Sequence, residues 1–146
     1  IPFSVFCLPS PVFPNTQTSY FCLMALPQKI SPQELLLHID TVDMRSQLFA
    51  QIVKDLGIEP WAISAEAPDF FSKLEEELFY TLTAIIERQP QLLPNIIYRI
   101  DLNERNVKLL LTDPEANAAK ILAEMVLQRE MQKVFYRNVY SGKITI

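Results

Sequence analysis

Glu34 and His38 stand four residues apart, the spacing that brings two side chains onto one face of a helix, and Asp40 and Asp43 follow closely. A carboxylate and an imidazole so placed supply two ligands for a divalent cation. Metal sites in helical bundles, however, draw a Glu-x-x-His from each of two helices and add further glutamates. His38 is the only histidine of the chain. The expectation is a half-exposed histidine at a helix boundary, bonded to a neighbouring carboxylate, with no metal and no cofactor. An enzyme or metal protein around His38, Glu34 and Asp40 stands as one alternative.

Little else in the chain could carry catalysis. Glu75, Glu76 and Glu77 are consecutive, and three consecutive helical residues fan through about 200°, so their carboxylates do not converge. Cys7 and Cys22 both fall in the first 22 residues and form no Cys-x-x-Cys, which excludes a disulfide framework and a thiolate zinc site. Reducing cytoplasm is the compartment that this cysteine usage suggests. Gly57 and Gly142 are the only glycines. That excludes Walker loops and the G-x-G-x-x-G fingerprint, both of which need backbone to approach a phosphate closely. It also leaves no serine with the glycine-flanked elbow that exposes a nucleophile. No catalytic residue is assigned, and the chain reads as a non-enzyme.

The remaining pattern is electrostatic. Arg129, Lys133 and Arg137 recur every fourth residue and would line one face of a helix. Cations in a last turn complement the helix dipole, and Glu130 is placed to pair with Lys133. With Arg99, and with Tyr140 as an aromatic of the kind that interfaces enrich, the stripe makes a candidate partner-binding face. Adding Arg105 and Lys108 suggests a nucleic-acid surface, and the segments 95–101 and 103–111 even permit a helix-turn-helix reading. A recognition helix needs several polar base readers, and the run Val107-Lys108-Leu109-Leu110-Leu111 is mostly apolar. Protein docking or self-association therefore ranks above nucleic-acid binding. The charge is divided along the chain: residues 29–94 carry five basic and eleven acidic side chains, residues 95–146 eight and six.

The elements that would position these groups are helices. Ser31-Pro32-Gln33-Glu34 has the form of a capping box, with Ser31 as N-cap and Pro32 at the first helical position. A second helix is expected over about 43–56, closed by Gly57. Residues 58–68 read as a loop holding Trp61. Asp69 opens a long helix to about Arg88, with Phe71, Leu74, Leu78, Leu82 and Ile85 as its inner stripe. Pro90 and Pro94 precede a short apolar helix, and Asn103 caps another through Leu111. Asp113 as N-cap and Pro114 at N1 would start the last helix, which runs to about Tyr140 with Phe135 in the core.

Residues 1–28 differ in kind: they hold no charged side chain and five of the eleven prolines. Those prolines divide the stretch below the roughly 20 apolar residues that a spanning helix needs, and no basic region marks a secretory signal. The expectation is a loosely packed leader, with the native protein starting at Met24; a cleaved or membrane-touching segment is the alternative.

Two stretches share a corner, Leu35 to Asp43 ("LLLHIDTVD") and Ile96 to Glu104 ("IIYRIDLNE"), each an apolar run ending in Ile-Asp. The second, followed by "AKILAEMVLQREMQKVFYR", resembles a set of short helical bacterial proteins of unknown function with a Tyr-Arg-Ile-Asp corner and an Arg-Glu-x-Gln-Lys run in the last helix. The likeness spans about 69–137 and implies a small cytoplasmic all-helical domain, without activity or site. Taken together, the sequence predicts one all-α domain over 29–146, an irregular bundle of about five helices. Its expected role is that of a non-enzymatic interaction or adaptor module.

Overall fold

The computed structural model describes residues 30–145, so the cysteines and the expected leader lie outside the described residues. The described residues contain helices and no strand. Six α-helices follow one another: α1 (Pro32–Ile39), α2 (Val42–Leu56), α3 (Phe70–Arg88), α4 (Leu93–Ile100), α5 (Glu104–Thr112) and α6 (Ala118–Tyr140). A single 3-10 turn, Pro90–Leu92, joins α3 to α4. The all-α class is as expected, with six helices in place of about five.

α6 is the hub, packed against all five other helices and most extensively against α3, α2 and α1. Its sequence explains why. Leu122, Val126, Glu130, Val134 and Asn138 form one inward row at i,i+4 spacing, and Ala123, Leu127, Met131 and Phe135 form the adjacent row. Two neighbouring buried rows make a face wide enough to meet several partners at once. Opposite it, α3 supplies Phe70, Leu74, Leu78, Leu82 and Ile85. Each such side chain contributes about 1.5–3 kcal/mol when fully buried. The first member of that stripe is Phe70 and not the expected Phe71. Counting back in fours from Leu78 reaches Leu74 and Phe70, whereas Phe71 is turned about 100° away; it is only half-buried.

Helix ends follow local chemistry. Thr41 caps α2, its hydroxyl accepting from the Met44 amide at 3.2 Å. Asn103 caps α5, accepting from the Asn106 amide at 3.1 Å. Gly57 closes α2 in the left-handed region at φ 68°, its amide donating to the Val53 and Lys54 carbonyls while Ile58 donates to Val53. α4 ends in the same motif with Asp101 at φ 70°. An aspartate tolerates that conformation better than most residues, so a glycine-poor chain can still close a helix sharply.

One expected boundary is corrected. Asp113 does not start the last helix; its carboxylate accepts from the Glu115 amide at 3.0 Å in a local turn. The cap is Asn117, which accepts from the Lys120 amide at 3.3 Å. An Asx turn competes with helix initiation for the same side chain, and here the turn holds residues 113–116.

The two Ile-Asp corners have a common build. Ile39 and Ile100 are fully buried, and the aspartate after each meets an arginine. Asp40 pairs with Arg45, and Asp101 with Arg129 at 2.8 Å. Arg45 also donates to the Ala65 and Ala67 carbonyls at 3.0 Å and lies over the Phe70 and Phe71 rings. One guanidinium thus ties α2 to the end of the 58–69 loop. Trp61, in that loop, meets Phe49 edge-on.

Candidate functional site

The basic stripe of α6 faces the ends of α2 and α4. α4 finishes with carbonyl groups that no later turn can satisfy. Lys133 Nζ donates to the Arg99 carbonyl at 3.0 Å, and Arg129 Nε lies 3.4 Å from the Asp101 carbonyl. Two members of the stripe therefore complete the end of a neighbouring helix. The third, Arg137, donates to Gln51 Oε1 on α2 at 3.0 Å.

Lys133 makes the densest contacts. Its ammonium reaches Asp55 Oδ2 on α2 at 2.9 Å and Glu130 Oε1 one turn back at 3.0 Å. Asp55 accepts also from Gln51 at 2.8 Å, which links Arg137, Gln51, Asp55 and Lys133 into one chain. A turn further on, Asn138 donates to Gln47 Oε1 at 2.9 Å and to the Val134 carbonyl at 2.6 Å. The row of α2 at 47, 51 and 55 thus meets α6 along a polar seam set into an apolar core.

Glu130 is the unusual member. Its exposure is 0%, and neither carboxyl oxygen has an aligned hydrogen bond. Lys133 approaches at 3.0 Å outside hydrogen-bond alignment, an ion contact that leaves Glu130 otherwise unsatisfied. Burial foremost, with the Asp55 charge adding, pushes the Glu130 carboxyl up to about 7 against the pull of Lys133. Burial acts on Asp55 in the same direction, but hydrogen bonds from Lys133 and Gln51 outweigh it and hold that carboxyl below its ordinary value. Spacing anticipated the Glu130–Lys133 pair but not its burial. The available signal was the inward row 122, 126, 134, 138, in which position 130 is the missing member.

The other candidate residues are dispersed. Arg99 is exposed, and its guanidinium lies beside Gly57, where a cation complements the C-terminus of α2. Tyr140 is exposed at the end of α6. Tyr136 is half-buried, and burial raises its phenol. Lys108 pairs within its own helix with Glu104 at 3.8 Å, and Arg105 is exposed. His38 departs from expectation: its ring packs on Phe135 with centroids 5.2 Å apart, in place of a bond to a carboxylate. The Phe135 ring is the large buried surface available to it, while Asp40 is taken by Arg45. Among the described residues, no three His, Cys, Asp or Glu side chains converge as a metal-holding group.

A separate feature lies away from the seam. A groove of about 730 Å³ runs between the end of α2, the second half of α3 and the 3-10 turn, lined by Ile58, Tyr80, Ala84, Ile85 and Leu92 with Arg88 at its edge. Tyr80 is 58% exposed there, and Arg88 has no ion-pair partner among the described residues. The groove leaves no local signal in the sequence because its walls come from three segments. No described helix is long and apolar enough to cross a membrane. The chain matches no family model, no curated protein and no solved structure.

Proposed function

We propose that this chain is a non-enzymatic cytoplasmic protein-interaction module, and that the groove beside Tyr80 is its docking face. The observation that carries the reading is the division of labour among its polar and apolar groups. Arg129 and Lys133 are engaged in finishing α4 and joining α6 to α2. By contrast, Tyr80 and Leu92 are exposed on a groove of mixed apolar and polar lining, edged by Arg88, which has no ion-pair partner among the described residues. Amphipathic segments dock in such grooves by inserting apolar anchors. The partner suited to this one is a protein segment that presents apolar side chains followed by a carboxylate for Arg88. Glu130, the one strongly perturbed carboxyl, does not argue for catalysis. A general acid must reach its substrate, and Glu130 is enclosed by protein.

The test is a capture experiment with the full chain as bait, comparing the native protein with Tyr80→Asp and Arg137→Glu after circular dichroism has shown all three equally helical. Bound protein and nucleic acid are quantified at low and moderate salt. A protein partner lost with Tyr80→Asp and retained with Arg137→Glu supports the groove. Loss with Arg137→Glu alone would move the docking face to the basic end of α6. Nucleic acid released steeply by salt would replace the reading with a nucleic-acid regulator, because phosphate binding releases counterions.

A further inference from the structure

We propose that Glu130 is a proton-operated latch: the bundle closes around its neutral acid, and loss of that proton loosens the seam that joins α6 to α2 and α4. The geometry sets one ammonium against two carboxyls. Lys133 lies 2.9 Å from Asp55 and 3.0 Å from Glu130, and it spends a further proton on the Arg99 carbonyl at 3.0 Å. With Glu130 neutral, the cluster of Lys133⁺ and Asp55⁻ carries no net charge. With Glu130 ionised, it carries one uncompensated negative charge, and burying such a charge is costly.

No other element relieves it. The buried residues of α1, α3, α4 and α5 are all apolar. Beyond Asp55, α2 offers only the neutral amides of Gln47 and Gln51 along the seam. The nearby cations are committed elsewhere, Arg137 to Gln51, Arg129 to Asp101 and Arg99 beside Gly57. His38 lies against Phe135, a turn further along α6.

Glu130 is held at about 7 in the fold against an ordinary value of 4.5, so folding takes up a proton between those values. Its stabilising contribution is complete below 4.5 and is lost as the pH rises through about 7. Asp55 has the opposite sign, since its lowered carboxyl favours the fold above its ordinary value of 3.8 and ceases to do so only in acid. The two effects occupy separate pH windows, and the latch is the one that operates near neutrality.

Two measurements on the full chain test the proposal. In the first, the Glu130 carboxyl carbon is followed by NMR in the native protein, with Glu130→Gln assigning the resonance. In the second, amide hydrogen exchange of α6, corrected for intrinsic rates, is followed from pH 4.5 to 8. Expected are a Glu130 midpoint near 7 and an opening constant that rises by up to about tenfold per pH unit and levels above neutrality. Glu130→Gln should remove that rise. A midpoint near 4.5, or the same rise in Glu130→Gln, overturns the latch. Should the variant fail to fold, the native titration decides alone, with Glu130 assigned through its backbone connectivity.

Discussion

Replacing Lys133 with methionine separates a cation paired to a buried carboxylate from one paired to an exposed carboxylate. The substitution keeps most of the aliphatic stem and removes the ammonium. Three contacts disappear: Asp55 at 2.9 Å, the Arg99 carbonyl at 3.0 Å and Glu130 at 3.0 Å. Removing one partner of a buried ion pair costs about 3–5 kcal/mol, because the remaining charge stays buried. Here the Asp55 side chain is 9% exposed and Lys133 21%, so some water can reach the orphaned carboxylate. About 2–4 kcal/mol at pH 7 is the expected loss after that allowance.

Arg129→Met is the internal standard. It belongs to the same stripe, but its partner Asp101 is 76% exposed, and pairs of that kind contribute about 0–1 kcal/mol. In urea denaturation monitored by circular dichroism, Lys133→Met should lower the midpoint by about 1–2 M and Arg129→Met by less than about 0.5 M, for a slope near 2 kcal/mol/M. Replacing Asp55 as well, in Lys133→Met/Asp55→Leu, should recover much of the loss, since the stranded charge is then gone. A cost under about 1 kcal/mol for Lys133→Met, or an equal cost for Arg129→Met, refutes a buried Lys133–Asp55 pair as the source of the loss.

Two further substitutions probe helix ends. Gly57→Ala keeps ordinary van der Waals distance to the Arg99 guanidinium, but φ 68° is unfavourable for a side chain; a loss of about 1 kcal/mol is expected in thermal or urea unfolding. Asn117→Ala should cost about 0.5–2 kcal/mol by the same measurement, and lower the helical signal of α6's first turn. Asp113→Ala serves as the comparison, because Asp113 holds a turn and not the helix start.

Helices and their stops were legible because they depend on short-range chemistry. Pro32, Gly57, Asn103 and Gly142 each act on the backbone within a few residues, and the boundaries near them agree with the spacing argument. The miss at Asp113 has the same local origin. An aspartate before proline suits both an N-cap and an Asx turn, and Asn117 four residues later was a competing cap of equal quality. Phe70 and Phe71 posed a comparable ambiguity, decided by the phase of the leucines and by Arg45, which lies over both rings.

The seam and the groove were illegible for a different reason. Spacing along α6 places Glu130 near Lys133, but whether that pair faces water depends on what α2 sets opposite it, 78 residues away at Asp55. A charged residue in an otherwise apolar inward row has two readings. Either the row is interrupted and the helix exposed there, or another helix supplies a counter-charge and the residue is buried. Gln47, Gln51 and Asp55 on α2 recur every fourth residue as polar positions, and this matches the polar positions of α6. That matched pattern is the trace a buried polar seam leaves in a sequence. Register has a different source. Sliding α6 by one turn along α2 would set Lys133 opposite Gln51 and bring Arg129 opposite Asp55, because the cations recur every fourth residue, so the charged stripe by itself tolerates the shift. The shift breaks the Asn138–Gln47 amide pair and takes Lys133 off the Arg99 carbonyl. Asn138 is buried, and a buried amide left without its partner costs about 1–3 kcal/mol, so the amides and the helix end favour one alignment over its neighbours.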